Sequence, residues 1–365
     1  MKFKLLLVFA IACLTGISRS AEIPGMRPAE MSNLVHQAAS GDALARHQLA
    51  ELYEKGVGVE TNWTEAFRWF LKAADQGVAE SQCHVATLYA NGQGVAANPK
   101  AAFTWYLKAA RQGVLPAQKE VAIRYFRGLG VRRDPKEAAD WFTKAAEQGD
   151  SESQINLAEL YSTGQGVKAD PVATFFWYRK AAEQGVATAK FNLAMMLSAG
   201  SGVEKNPIEA VRWCAQAADQ GFVQAQFMMG LCCSRGEGIA KDEGKAVAWY
   251  RKAAQQGHAA AQYNLAVRYE SGLGVATNQG DAQRWYLKAA EQMDPDALYA
   301  LGLRYYKGVG VEQDVIQGCV YFMMADAVGM PLAMPAISVA KTELPANAFN
   351  LAVQEAKKKL ILLPR

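Results

Sequence analysis

Apolar residues recur along the chain at spacings of three and four, which is the period of an amphipathic α-helix. The helical stretches come in pairs, and the whole pattern returns every 36 residues from residue 42 to residue 329. In the first stretch of each pair, here called helix A, a Leu, Val or Met is followed by Ala or Gly. In the second stretch, helix B, Trp holds one position in seven repeats, and Ala follows four residues later in all eight. The pattern therefore predicts eight helix pairs.

The repeated columns also predict how these helices pack. A small Ala at one place in every helix B lets helix backbones approach each other closely. The Trp column is then expected to fill the groove between the helices, since protein interiors leave few voids. In six repeats Tyr stands three residues after the small residue of helix A. We interpret this Tyr column and the Trp column as core residues and not as a cofactor site.

Turn residues separate the predicted helices at fixed places. Helix A is closed in each repeat by Gly-x-Gly followed by Val or Ile, for the first time at Gly56. Six residues after that Gly stands an Asn or Asp, such as Asn62, whose short side chain can cap the free amides at the start of helix B. A Gly follows helix B in each of the first six repeats, as expected for a left-handed helix end. Three repeats also have Glu three residues after the cap and predict capping boxes, with Glu65, Glu137 and Glu209.

The two ends of the chain differ from the repeats. Residues 1–20 have the features of a signal peptide, with Lys2 and Lys4 before a short apolar run and small residues after it. A buried or anchoring helix is the alternative for this segment. Residues 21–41 are predicted to form an N-terminal capping helix, and residues 330–365 to form C-terminal capping helices. No later apolar stretch is long enough for a bilayer, so we expect a protein that is exported and not membrane-spanning.

The charge balance argues against a nucleic-acid partner. Without the three basic residues of the predicted leader, the Lys and Arg count falls from 39 to 36, against 35 Asp and Glu. Such a chain has no basic surface dedicated to phosphates. Neither the histidines nor the cysteines show metal-ligand spacing, so we predict no metal and no cofactor. The cysteines are interpreted as small core residues, with one oxidised pair, Cys214 with Cys232 or Cys233, as the alternative.

The repeat as a whole resembles a known family. Its pattern, A-x-x-N-L-A/G-x-x-Y-x-x-G-x-G-V-x-x-D/N-P-x-x-A-x-x-W-Y-x-K-A-A-E-Q-G, is similar to the Sel-like repeats (SLR), which are relatives of tetratricopeptide repeats. The resemblance covers residues 42–329. It implies an all-α fold, an α/α solenoid wound as a right-handed superhelix of eight 36-residue repeats with capping helices. It also implies a scaffold that holds another protein on its concave face.

In such solenoids helix A lines the inner surface, so a partner is expected there. Three helix A columns combine aromatic residues, Asn and Arg in the later repeats. Rings can hold apolar side chains of an extended peptide, Asn can bond to its backbone, and Arg can bind a carboxylate. Related tetratricopeptide proteins clamp a peptide with Asn at the matching place. The predicted partner-binding residues are Asn156, Phe191, Asn192, Phe227, Tyr263, Asn264, Arg268, Tyr299 and Arg304.

The aromatic column has a second interpretation. SLR chains commonly place Tyr there, and the ring then packs helix A against the next repeat. The Asn residues are the stronger indication of a partner, because a buried amide group needs a hydrogen-bond partner. Both interpretations stay open at the level of sequence.

A hydrolase of the β-lactamase type is the alternative function, because some cysteine-rich exported SLR proteins have been described as β-lactamases. Ser338 and Lys341 form a Ser-x-x-Lys, but no Ser-Asp-Asn or Lys-Thr-Gly accompanies them. A luminal adaptor of a secretory pathway is a third hypothesis. We predict no catalytic residue, and a monomeric or weakly associating scaffold, periplasmic or secreted. Its protein or peptide partner would act in bacterial envelope signalling or assembly, or in contact with a host.

Overall fold

A computed structural model describes residues 28–361. Across these residues the chain forms nineteen α-helices and no strand, and most helices are 13 residues long. The predicted signal peptide and the last four residues lie outside the described part. The all-α fold predicted from the helical period is confirmed.

The helices divide into two compact units, with the division between Gln184 and Gly185. In the first unit, helix A of the first repeat is α2 and helix B is α3, and the alternation continues to α9. The first unit contains α1 Pro28–Ser40, α2 Ala43–Lys55, α3 Trp63–Asp75, α4 Ala79–Asn91, α5 Pro99–Arg111, α6 Leu115–Arg127, α7 Pro135–Glu147, α8 Ser151–Thr163 and α9 Pro171–Glu183.

The second unit begins with helix A of the fifth repeat and ends with two helices beyond the eighth. Within it, helices that are next to each other in the chain pack together, except that α19 packs much more closely on α17 than on α18. Its helices are α10 Ala187–Ala199, α11 Pro207–Asp219, α12 Val223–Arg235, α13 Glu243–Gln255, α14 Ala259–Ser271, α15 Gln279–Glu291, α16 Pro295–Lys307, α17 Val315–Ala327, α18 Ala333–Glu343 and α19 Ala346–Ile361.

The Asn/Asp column caps every helix B, as predicted. Asn62 Oδ1, for example, accepts a hydrogen bond from the amide of Glu65 at 3.1 Å. The predicted capping boxes are wrong in their second hydrogen bond, the one from the Glu side chain back to the amide of the cap residue. The amide of Asn62, which the Glu65 side chain would have bonded, instead donates to Tyr53 O at 2.9 Å, because the turn folds the cap back onto helix A. The corresponding amides before Glu137 and Glu209 do the same.

The two glycines of the Gly-x-Gly turn are required for different reasons. The first, such as Gly128, ends helix A with φ 76°, in the left-handed region that favours glycine. The second, Gly130, lies against the first turn of the preceding helix B. A Cβ on Gly130 would stand 2.0 Å from the carbonyl oxygen of Pro99, closer than any contact allows. The turn therefore fixes how closely one repeat stacks on the one before it.

The core follows the small-residue columns. The Ala column of helix B, from Ala73 to Ala325, is fully buried in all eight repeats, which confirms the predicted seam. The Trp column is less buried than predicted. Trp141 is buried, whereas the other six Trp side chains are half-buried. In five repeats the ammonium of a Lys three residues later covers the ring, for instance Lys108 at 3.6 Å from the centre of Trp105.

Candidate functional site

The predicted aromatic column lies on four successive A helices of the second unit. Phe191, Phe227, Tyr263 and Tyr299 are all half-buried, so each ring keeps part of its surface in solvent. Three of them contact a ring on helix B of their own repeat: Tyr263, for example, lies 5.8 Å from the Tyr286 ring. Burial raises the pKa of the Tyr263 phenol, and the nearby carboxylates of the next repeat add to this shift.

Two of the rings also contact the residue just before the next helix A. Phe191 lies 5.4 Å from the ring of Phe222, and Phe227 stacks on His258 at 4.5 Å. These two rings therefore link consecutive repeats, as the packing interpretation expects. Because the rings are only half-buried, this role leaves part of each one accessible to a partner.

The Asn column stands beside the rings. Asn192 and Asn264 are half-buried on α10 and α14, and Asn156 is half-buried on α8 in the first unit. The Asn264 amide donates from Nδ2 to the carbonyl of Ala260 at 2.8 Å, one turn earlier in its own helix. Its Oδ1 accepts from Arg268 Nη1 at a long 3.5 Å. Asn264 therefore has one firm bond inside its own helix, and its Oδ1 makes only a weak contact.

Arg304 is the most deeply placed of the predicted residues. Its side chain is 3 % exposed and its guanidinium is paired with the carboxylate of Glu270. Nη1 also donates to Gln279 Oε1 and Nε to Gln283 Oε1, both at 3.0 Å. These contacts tie helix A of the eighth repeat to the seventh, so the guanidinium is already occupied within the chain.

Arg268 is held less completely. Its Nη2 donates to Ser234 Oγ at 2.6 Å and lies 3.6 Å from a carboxylate oxygen of Glu243. Its buried Nε has no hydrogen-bond partner among the described residues. Buried guanidinium groups normally have all donors paired, so Arg268 keeps one donor unsatisfied.

A stacked Arg–Tyr pair recurs between repeats, and the sequence analysis missed it. The guanidinium of Arg268 lies 5.0 Å from the centre of the Tyr250 ring, and Arg304 and Tyr286 form the same pair at 5.5 Å. The two residues of each pair are 18 positions apart. This fixed spacing was the signal that could have revealed the contact.

A network of Gln side chains was also missed. Gln118 on α6 donates to Ala110 O at 3.3 Å and accepts from Gln148 Nε2 at 2.7 Å. Gln148 donates in addition to Gly113 O, so two side chains satisfy the carbonyls at the end of helix B. The network is structural. Four further pairs repeat its side-chain bond: Gln82–Gln112, Gln154–Gln184, Gln226–Gln256 and Gln262–Gln292.

The Ser-x-x-Lys segment lies on α18. Ser338 is exposed, and its hydroxyl donates to the Met334 carbonyl of its own helix at 3.0 Å. Within residues 28–361, no three side chains of His, Cys, Asp and Glu come together as a metal-binding group. In the same range, no helix combines the length and apolar character needed to cross a bilayer. Cys214, Cys232 and Cys233 are all buried and form no disulfide with one another, so the alternative of an oxidised pair is not seen here.

Comparison with known families identifies the repeat. Eight consecutive segments match the model of the Sel1 repeat, and together they cover most of the chain. The protein therefore belongs to the Sel1 repeat family and is an α/α solenoid of eight repeats. The matched residues are 43–78, 79–114, 115–150, 151–186, 187–222, 223–258, 259–293 and 295–325.

Two solved structures are similar over most of their length. One is a protective antigen present in uropathogenic Escherichia coli strains that displays an SLR fold. It is 30 % identical, with a TM-score of 0.64, and the match covers 92 % of this chain and 82 % of the antigen. The other is a Sel1 repeat protein from Oxalobacter formigenes, 28 % identical, with a TM-score of 0.68, and the match covers 90 % and 99 % of the two chains. The comparison with curated proteins finds no match. This scaffold fold is consistent with a role in protein interaction.

Proposed function

We propose that the protein is a non-enzymatic scaffold that binds an extended segment of a protein partner along the A helices of its second unit. The observation that carries the proposal is the column of half-exposed rings at Phe191, Phe227, Tyr263 and Tyr299, one on each successive helix A. A peptide laid across these helices would place an apolar side chain against each ring. Aromatic side chains of this kind dominate the energy of protein interfaces.

Polar groups beside the rings would fix the backbone of that segment. Asn192 and Asn264 are half-buried in the next column, and an amide side chain can both donate to and accept from a peptide group. The Asn264 Oδ1 has only the long contact to Arg268, so an amide of the partner can compete for it. Arg304 pairs with Glu270 and so holds the neighbouring A helices of the site together. We expect no direct contact between Arg304 and the partner.

The setting we propose is the bacterial envelope or the exterior of the cell. The Lys-led, apolar N-terminal segment supports export. The similarity to a protective antigen of uropathogenic Escherichia coli, at 30 % identity, supports a role at a surface that meets a host. Envelope signalling, envelope assembly and host contact are the roles this proposal includes.

Selection of peptides from a displayed random library against the purified protein tests the proposal. Selected peptides are synthesised, and their affinity is measured by calorimetry for the wild type and for an Asn192→Ala/Asn264→Ala variant. We expect a loss of about tenfold or more in affinity, since each lost hydrogen bond contributes about 1 kcal/mol. The variant should keep the wild-type helical circular dichroism.

A matched control changes the same residue type away from the site. Asn91 lies at the exposed end of helix A of the second repeat, so Asn91→Ala should bind the selected peptides as the wild type does. Equal affinity of the wild type and the folded Asn192→Ala/Asn264→Ala variant would contradict the proposed site. Loss of folding in that variant would assign the two Asn side chains a structural role, and Tyr263→Ala would then test the ring column separately.

A further inference from the structure

One pair of equivalent positions holds chemically different residues in different repeats of the second unit. In the seventh repeat, Tyr286 on helix B lies under the guanidinium of Arg304 from the next helix A, at 5.5 Å. In the fifth repeat the same two positions hold Cys214 and Cys232, again 18 residues apart. Two small thiol side chains replace a ring and a guanidinium, so less side-chain volume fills this point of the stack.

A small cavity lies beside the two thiols. It has a volume of about 40 Å³ and is lined by Cys214 from α11, by Met228 and Cys232 from α12 and by Met195 from α10. The carboxyl-bearing Glu237 also lines it. Met195 is 39 % exposed, so the cavity is reached from solvent on that side. The space is sufficient for a single ion or water molecule.

The cysteines coincide with a third departure from the repeat. Met228 stands in the helix A column that holds Asn192 in the preceding repeat and Asn264 in the following one. Packing alone does not require sulfur at these places, because Leu88 and Leu160 occupy the Cys232 position in other repeats. The three changes share one property: each places a sulfur-containing side chain in the lining of the same cavity.

The Cys214 thiol donates a hydrogen bond to Ala225 O at 3.5 Å, so it is held as the S–H form. Such thiols are poor nucleophiles. A metal ion with high affinity for thiolate can displace the protons, because metal binding and thiol deprotonation are coupled.

We propose that this sulfur-lined cavity binds one soft monovalent ion, Cu(I), through the Sγ atoms of Cys214 and Cys232. The thioether sulfurs of Met195 and Met228 would complete the ligand set. Two S–H bonds break, two protons pass to solvent and two Cu–S bonds form, while copper remains Cu(I). Thiolate and thioether ligands favour Cu(I), whereas Mg²⁺ and Ca²⁺ prefer oxygen.

Competition with a coloured Cu(I) chelator tests the proposal. The purified, reduced protein is titrated without oxygen against the Cu(I) complex of bicinchoninate, and copper transfer is followed by loss of colour. We expect transfer of one equivalent to the wild type and a loss of affinity of at least about 100-fold in Cys214→Ser/Cys232→Ser. X-ray absorption at the copper edge should show sulfur ligands only.

Two further variants make the test independent of the thiols' role in folding. Met228→Leu keeps the side-chain volume and should weaken Cu(I) binding about tenfold, the scale on which supporting groups tune metal sites. Cys319→Ala changes a buried cysteine on α17 and should leave Cu(I) binding unchanged. The proposal is overturned if no copper leaves bicinchoninate, if the double cysteine variant keeps full affinity, or if nitrogen and oxygen ligands dominate the absorption spectrum.

Discussion

The fifth and seventh repeats use the same two positions in opposite ways. Tyr286 and Arg304 fill their place with a buried ring and a guanidinium that bonds three side chains. Cys214 and Cys232 leave a cavity of about 40 Å³ at the matching place. The Ala and cap columns around both pairs are the same, but Met293, with φ 59°, stands after helix B of the seventh repeat where the fifth has Gly221. The comparison shows that the small-residue columns and turns maintain the stack, and that the pair 18 residues apart decides the local chemistry.

The first repeat provides a third version of this position. Phe70 occupies the column of Tyr286 and Cys214, and its ring stacks on His84 at 4.3 Å. His47 lies beside both, with its Nδ1 2.8 Å from Ser81 Oγ. A ring–Arg pair, a thiol pair and a ring–His cluster are thus built on the same helix B position, although Leu88, and not His84, stands at the helix A position of Arg304 and Cys232. Each should respond differently to mutation.

The largest loss of stability is expected where a large buried side chain is replaced by a small one. Tyr250 is fully buried in the sixth repeat, and Tyr250→Cys copies the fifth repeat at that place. We expect the free energy of unfolding to fall by about 3 kcal/mol, since the change deletes a buried ring and leaves a cavity. Urea unfolding followed by circular dichroism measures this loss. Cys214→Ala is the matched control and should cost about 1 kcal/mol or less.

An intermediate effect is expected from the buried guanidinium. Arg304→Met leaves the partly exposed Glu270, and also Gln279 and Gln283, without their donor. We expect a loss of about 2 kcal/mol in unfolding free energy, because unsatisfied polar groups are costly when water is excluded. Arg179→Met, which removes an exposed pair with Glu183, should change stability by about 0.5 kcal/mol or less. Equal losses in the two variants would show that Arg304 stabilises no more than a surface pair.

The smallest effect is a pH dependence that belongs to the His cluster. Burial, and next the neighbouring His84, lower the pKa of His47 below its ordinary 6.5, with Glu51, Glu80 and Glu54 acting in the opposite direction. The unfolded chain therefore takes up a proton at a higher pH than the folded chain. The contribution of the neutral His47 to the free energy of unfolding should be fully present above about pH 6.5 and should decrease as the pH falls below it.

Melting temperatures measured at about pH 7.5 and pH 5.5 test this dependence. The wild type should lose more stability between these two values than His47→Gln, which keeps a polar side chain beside Ser81 but cannot be protonated in this range. An identical change in both proteins would exclude His47 as the source of the pH dependence.

Much of the fold could be predicted from the residues that cap and end the helices. The caps at Asn62 and its equivalents, and the left-handed glycines such as Gly128, mark each helix end by local backbone chemistry. The Ala seam followed from its constant place in every repeat. Local patterns could not predict the Gln network, because Gln118 bonds Gln148 thirty residues further on. Nor could they predict that Lys108 covers Trp105 and leaves that ring half-buried.

The sequence predicts which residues of the candidate site stand at equivalent helix positions. It does not predict which of their side chains are free to bind a partner. Periodicity placed Tyr263 and Asn264 on one helix with their equivalents on the helices before and after. It contained no information on competing partners, and the structure shows that Glu270 and two Gln side chains already hold Arg304. Such contacts depend on the distance between helices in neighbouring repeats. The sequence pattern of one repeat does not contain that distance.

Photo-crosslinking tests the central claim, that the A helices of the second unit bind a partner, most directly. Tyr263 on α14 is replaced by p-benzoylphenylalanine, and in a second protein the exposed Arg284 on α15 is replaced in the same way. Both proteins are irradiated with a selected peptide. The account predicts a crosslink from position 263 and none from position 284. Crosslinking from position 284 with none from position 263 would place the partner on the B helices and contradict it.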